Sequence, residues 1–330
     1  MNRFLYFTRY VLAAFGAGLS LFAAGDVHAQ SFPSQPVRII VPQSAGGLVD
    51  ILARGYATEL AKLWGQQVIV ENRAGANTII GTEAAARAAP DGYTLLLANP
   101  AAISINPFLY KTLPYDPERD FALLYNIAYS AFIIIVNPSL PANSLREFVE
   151  LAGRKSSGTA YGSFGLGSAS HIETESLSAR TGITMTHIPY KGIADVLPAL
   201  VRGDVQMALA GIPPSLPLLK AGRIRAIAIM ANSRDPALPD LPTAGESGFP
   251  GMTLGGWFGF VAPAATPRPI LDKISSDLAQ ISNRPDFKER TITRVGLEPL
   301  LQPPEQFTEF VREERARYSL LIKNLNLRLD

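Results

Sequence analysis

The sequence contains no cysteine. That excludes disulfides, thiolate metal sites and a lipid-anchored cysteine behind a leader. Histidine is nearly as scarce: of three in 330 residues, His28 lies in the leader described below, leaving His171 and His187. There is no H-E-x-x-H and no Walker A pattern, so a catalytic metal or a nucleotide phosphate has no recognisable holder. Charge is sparse and of both signs, 30 Lys and Arg against 28 Asp and Glu, with no basic stripe. Nucleic acid is therefore not an expected partner. Beyond the first thirty residues no apolar run is long enough to cross a bilayer.

What is present begins with a leader. Arg3 and Arg9 precede an apolar run from Val11 to Ala24, and Val27-His28-Ala29 is a small-residue cleavage pattern. Residues 1–29 read as a secretory signal peptide, removed on export to the periplasm and leaving no lipid anchor. Removing Arg3, Arg9 and Asp26 takes the formal net charge from +2 to +1. An exported chain without disulfides must be held by its core, and about 300 residues can supply one, in two domains.

The mature chain opens on Val37-Arg38-Ile39-Ile40-Val41, a β-branched run ended by Pro42. A permissive turn follows, Gln43-Ser44-Ala45-Gly46-Gly47, and then helical spacing through Leu48, Ile51, Leu52, Tyr56 and Leu60. A strand, a glycine turn and a helix start leave backbone N–H groups aimed above the strand end, a place that suits an anion. An ordinary turn would read the same way, but the device recurs at Gly165-Leu166-Gly167-Ser168 and at Lys191-Gly192. Strands at Gln67–Val70 and Tyr93–Ala98, with a helix over 79–89, complete a β-α-β-α-β alternation that argues for a doubly wound, mostly parallel sheet. Asn99-Pro100-Ala101-Ala102 is expected as another strand-end loop. Ala131–Val136 is a strand, and Ser144 with Glu147 forms a capping box. A second α/β unit then runs over 132–251. Leu254–Val261 returns to the first sheet, and the tail from Pro267 is expected to be helical. The reading is an α/β fold of two lobes with the ligand in the cleft between them: residues 30–131 plus 252–330 in lobe one, 132–251 in lobe two.

Enzyme motifs fail on the same residues. Tyr161-Gly162-Ser163-Phe164-Gly165 lacks the glycine two before the serine that a nucleophile elbow needs. Gly165-Leu166-Gly167-Ser168-Ala169-Ser170 has serine at the third glycine of a dinucleotide fingerprint, and no acid at the right distance. A secreted serine hydrolase using Ser163 or Ser168 is the alternative. His171, in a first helical turn, is expected to pack or cap.

The chain resembles the periplasmic solute-binding proteins of tripartite tricarboxylate transporters, the Bug receptors. The matching segments are P-V-R-I-I-V-P (Pro36–Pro42), G-G-x-x-D (Gly46–Asp50), A-R (Ala53-Arg54), V-E-N-R-x-G-A (Val70–Ala76), P-D-G-Y-T-L-L (Pro90–Leu96) and L-P-Y-D-P-x-x-D-F (Leu113–Phe121). They continue with Y-G-S-x-G-x-G-S-x-x-H (Tyr161–His171), P-Y-K-G (Pro189–Gly192), G-x-V (Gly203–Val205), L-P-x-x-P-T-x-x-E-x-G (Leu238–Gly248) and A-P-x-x-T-P (Ala262–Pro267). The resemblance implies a monomeric Venus-flytrap receptor of type II-like fold, with no cofactor and no enzymatic activity. It implies closure on a small organic acid, and delivery to membrane permease subunits or to a sensor kinase.

Carried over by position, it places ligand contacts at Gln43, Ser44, Ala45, Gly46 and Gly47, at Ala101 and Ala102, at Ser163, Gly167 and Ser168, at Tyr190, Lys191 and Gly192, and at Ala210. Ala101 and Ala102 would leave room for the ligand body. Asp50 reads as structural, since it would repel an anion. Three positions depart from the pattern. Gln43 stands where an aromatic residue is common, Leu48-Val49 where a polar pair is usual, and Gln206 where an acid is frequent. These departures weaken the analogy to an amino-dicarboxylate ligand.

Overall fold

Ten strands build the described part of the computed structural model, residues 32–154 and 158–329. The expected signal peptide lies outside the described residues.

The first sheet starts from three β-branched or leucine-rich runs: β1 (Val37–Val41) and β3 (Thr94–Ala98), both largely buried, and β2 (Val68–Asn72), a half-exposed edge strand. They pair in parallel in the order β2-β1-β3. Two helices make the crossovers, α1 (Leu48–Trp64) and α2 (Ile79–Ala86). Gly65 ends α1 in the left-handed conformation, φ 63°, returning its N–H to Ala61 O as a glycine stop does. All five residues of β3 are buried, as expected of a parallel strand covered on both faces.

The same plan is repeated further on. The strands β5 (Ala160–Ser163), β6 (Thr186–Pro189) and β7 (Met207–Gly211) are parallel in the order β6-β5-β7. The accompanying helices are α3 (Leu145–Arg154), α4 (Ala169–Thr181), α5 (Ile193–Arg202) and α6 (Ile212–Lys220).

A single strand joins the two plans. β4 runs from Phe121 to Val136. Its first half pairs antiparallel with β9 (Gly255–Pro263) and β10 (Glu298–Gln302), and its second half with β7 and β8 (Arg225–Ile229). Each sheet is thus a parallel trio extended by antiparallel strands. Only Ala131–Val136 of β4 is legible as a strand from sequence, because Tyr125, Asn126, Tyr129 and Ser130 interrupt the apolar run before it. Asn126 is nevertheless fully buried, donating from Nδ2 to Gln302 Oε1 at 2.9 Å.

The expected helical tail from Pro267 is interrupted by a strand. It is two helices, α7 (Arg268–Asn283) and α8 (Pro304–Asn324), separated by two short helical turns and β10. Gly296, Pro299, Pro303 and Pro304 stand between the apolar stripes, and prolines so placed stop a helix while an edge strand tolerates them. Asn99–Ala102 is also more ordered than a loop. Ala101–Ile105 forms a π-type turn that runs into a short helix, Asn106–Leu109.

Alternation along β4 separates two cores on the second sheet. Phe132, Ile134 and Val136 pack with Phe148, Tyr161 and Leu177 on one face; Ile133 and Ile135 pack with Val196, Leu200 and Ile212 on the other. In the first sheet, Trp257, Val261, Phe307 and Val311 fill one face. Tyr56, Phe260 and Phe287 meet edge to face elsewhere in the same lobe.

The chain crosses between the sheets twice, in β4 and just before β9. There three backbone bonds close a ring: Phe132 N–H to Leu254 O (2.9 Å), Leu254 N–H to Met230 O (2.8 Å) and Met230 N–H to Phe132 O (2.8 Å). Residues 35–330 form one compact body. A smaller apolar cluster joins the lobes: Ile172 of α4 packs with Ile105, Leu109, Tyr318 and Ile322.

Candidate functional site

Parallel pairing carries the carboxyl ends of β1, β2 and β3 to one edge of the first sheet, and those of β5, β6 and β7 to one edge of the second. Ligands in open α/β sheets sit beyond such ends. The loops there are small, hydroxyl-rich and nearly uncharged. Lys191, exposed, is the one formally charged side chain among Gln43–Gly47, Asn99–Ala102, Ser163–Ser168, Tyr190–Gly192 and Ala210-Gly211.

In the first loop, Gln43, Ser44, Ala45 and Gly46 are exposed and Gly47 is half-buried. Gly46 has φ 80°, and Gly47 precedes α1 without any side-chain cap. The loop is braced from below. Asp50 Oδ2 accepts Gly46 N–H at 2.9 Å and Arg54 Nε at 3.0 Å, and Asn72 Nδ2 donates to Gln43 O at 3.1 Å. Burial raises the Asp50 pKa, but the Arg54 and Gly46 bonds outweigh it and leave a net lowering. Asp50 is thus a carboxylate that shapes the turn, as its position suggested, and it removes one turn N–H from those a ligand can use.

Ala101 and Ala102 are buried. Ala102 has both backbone groups occupied, its N–H by Asn99 Oδ1 (3.2 Å) and its carbonyl by the Tyr115 hydroxyl (2.8 Å).

The β5–α4 loop is held by its own side chains. Ser163 is fully buried, its Oγ 2.6 Å from His187 Nε2 and bonded to both Gly165 N–H (3.2 Å) and Gly165 O (3.1 Å). Ser168 caps α4, accepting His171 N–H and donating to Gly165 O at 2.7 Å. His171 Nδ1 accepts Gly167 N–H at 3.1 Å. His171 and His187 stack with ring centroids 4.0 Å apart, and Tyr161 stacks on the outer face of His187 at 4.9 Å. Burial pushes both imidazoles down to about 4, with the facing ring contributing at His187.

The Ser163–His187 contact has the form of a hydrolase pair, yet its chemistry is unsuited. A base near 4 is mostly deprotonated at neutral pH but too weak to draw a serine proton. The hydroxyl is also buried and already shared with Gly165. The nearest acidic partner in the stack, Glu175, is bonded to the Tyr161 hydroxyl.

Tyr190 is half-buried over Gly162 and hands its N–H to Ser163 O at 3.0 Å. Gly192 begins α5 without a side-chain cap. Ala210 lies inside β7 opposite Ile133, in the second core, so the strand end falls one residue later at Gly211.

Asn77 and Asn106 escaped the sequence reading. Asn77 Nδ2 donates to Asn106 Oδ1 (2.8 Å) and to Gly167 O (3.0 Å), and Asn106 Nδ2 donates back to Asn77 O (2.8 Å). The β2–α2 loop therefore touches the β5–α4 loop directly. Ala76, Asn77 and Thr78 all have positive φ, at 46°, 46° and 74°, a run that costs about 1–3 kcal/mol per residue and persists only where surroundings enforce it. The Thr78 hydroxyl is buried without a partner. No local spacing would have marked these residues; their partners lie 29 and 90 positions away.

A groove of about 320 Å³ between α1 and α7 is lined by Glu59, Lys62, Leu63, Gln280, Ile281 and Arg284. It lies at the C-terminal end of α1, away from the strand-end loops, and ion pairs of Glu59 with Lys62 and Arg284 occupy it. Among the described residues no cluster of His, Asp and Glu is arranged to hold a metal, and no helix is long and apolar enough to cross a membrane.

Comparison with known proteins agrees with this architecture. Protein BugT of Bordetella pertussis is 31% identical over 307 residues, covering 93% of this chain and 94% of its own. The solved structure of R. palustris Rpa4515 with adipate superimposes with a TM-score of 0.85 at 33% identity, over 90% of this chain and 99% of its own. MatC from Rhodopseudomonas palustris with bound malate gives 0.80 at 31% identity, over 88% and 100%. Residues 52–327 match the model of the tripartite tricarboxylate transporter family receptor. The chain belongs to that family of periplasmic solute-binding receptors.

Proposed function

We propose that this protein is an extracytoplasmic receptor that captures one small carboxylate between its lobes. The observation carrying this reading is that relatives matching nearly the whole chain hold adipate and malate. The local chemistry is compatible. Uncapped helix starts at Gly47 and Gly192 supply N–H groups, and such groups hold a carboxylate without formal positive charge; the start after Gly211 offers few, because Pro213 and Pro214 carry no N–H. The proposed contacts are Gln43–Gly47, Ser163, Gly167, Ser168, Tyr190, Lys191 and Gly192, with ordered water completing the shell. Ala101 and Ala102 give room rather than hydrogen bonds; Ala210, packed in the core opposite Ile133, is not among the contacts in this reading.

The lobes in this reading are 30–131 with 252–330, and 132–251. They close by bending at the Phe132–Met230–Leu254 ring. Residues 1–29 direct export, and the closed receptor, a monomer, engages permease subunits or a sensor kinase. No cofactor takes part.

The test is native mass spectrometry of mature protein purified without denaturation, followed by thermal shifts against a panel including adipate and malate. A retained small acid, or a shift of several degrees with one class of acid, supports the reading. No retained mass and no shift with any carboxylate removes it. Ester turnover abolished by Ser163→Ala would instead favour the hydrolase.

A further inference from the structure

We propose that Asn77 is a positioning residue that sets the closure of the two lobes by gripping the Gly167 carbonyl. The inference rests on the hinge-closure reading above.

Asn77 spends both amide hydrogens, one on Asn106 Oδ1 and one on Gly167 O. An asparagine amide has only two to give. Asn106 is fully buried and returns a bond to Asn77 O, so the first-lobe half of the grip is fixed. The unusual left-handed run Ala76-Asn77-Thr78 is what turns the amide toward the second lobe.

Gly167 is shaped to be gripped. Its φ is 76°, its N–H is held by His171 Nδ1, and a Cβ there would stand 2.2 Å from Leu109 Cδ2. Only bare backbone comes that close to the first lobe. The next residue, Ser168, caps α4. A pull on the Gly167 carbonyl therefore moves the loop and helix start proposed to hold the anion. The Asn77 bond is thus the polar link by which the first lobe adjusts that start.

The absence of native cysteine makes the test clean. Spin labels on Ala89→Cys and Ala221→Cys, both exposed positions on different lobes, report the interlobe distance by double electron–electron resonance. Asn77→Gly permits the left-handed backbone and removes the side chain with both of its donated bonds. The expected result is at least a doubling of the minor, more open distance population relative to the labelled parent. An unchanged distribution overturns the proposal.

Should Asn77→Gly fail to fold, Asn77→Asp serves. Aspartate tolerates the left-handed backbone and keeps the side chain's shape, but its carboxylate cannot donate to Gly167 O, so the open population should rise as for Asn77→Gly. No shift counts against the grip. The receptor reading fails separately, by the parent retaining no acid in native mass spectrometry. A shifted Asn77→Gly distribution alongside that result would keep the grip and discard the receptor.

Discussion

His171 and His187 face each other in a buried stack, and their neutrality is part of the fold. A histidine with an ordinary pKa of 6.5 held at about 4 binds its proton in the unfolded chain first. Its contribution to stability is complete above about 6.5 and is lost as pH falls toward 4, by at most about 1.4 kcal/mol per unit. Glu314 runs the other way. Fully desolvated beside the Trp257 indole, its pKa is pushed up to about 7 from 4.5, so its contribution is lost as pH rises between those values. The two slopes oppose each other between pH 4.5 and 6.5, and the wild-type profile alone does not separate them. His171→Asn does, because asparagine keeps an acceptor near the Nδ1 position without titrating. Urea unfolding at pH 7, 5.5 and 4.5 should show the variant gaining on the wild type as pH falls; a constant difference would contradict the account.

Among the elements, α4 carries the most consequence. Its cap, Ser168, is at once a stability device and a proposed ligand contact, and the two roles separate by charge. Ser168→Ala should cost about 1 kcal/mol, the usual value of a lost N-cap. That lowers the melting temperature by about 2–4 °C in a chain of this size or somewhat less. Ser168→Asp preserves a capping oxygen but gives up the bond donated to Gly165 O, and should recover part of that stability. It also sets a carboxylate where an anion is expected, so thermal shifts with carboxylates should vanish. Recovered stability with undiminished shifts would remove Ser168 from the site.

Several segments that carry the family resemblance hold their own turns by caps and ion pairs. Glu246 and Thr243 bond reciprocally through backbone N–H groups. Asp116 caps a short helix while Asp120 reaches back to the Asp116 N–H. Glu71 pairs with Arg38 and Arg73.

At the scale of the molecule, the two lobes share β4, the backbone ring at Phe132 and the apolar cluster around Ile172. A half-buried ion pair adds to this, the partly exposed Arg317 of α8 donating to the fully buried Glu173 of α4 at 2.8 Å. Neither sheet is complete without β4, so the lobes should unfold together. Scanning calorimetry of the mature protein without ligand should give one transition. Two resolved peaks would mean that each lobe is stable without its half of the shared strand.

Much of this was settled by local sequence. Strand runs such as Val37–Val41, helix periodicity from Leu48 and the glycine turns at Gly46-Gly47 and Gly165–Gly167 depend on nearest neighbours, since backbone propensity and side-chain spacing act over a few residues. Two repeats of strand, turn and helix then imply two parallel trios and the edge where their loops collect. Tertiary structure alone decided the rest. β4 extends back through Tyr125 and Asn126 because β9 and β10 flank it, and β10 forms where helical continuation was expected because β4 offers an edge. Ala210 enters the core because Ile133 lies opposite. The stack of His171 on His187 and the grip of Asn77 on Gly167 are contacts between residues 16 and 90 positions apart. Long-range proximity of this kind is created by packing, and no local pattern encodes it.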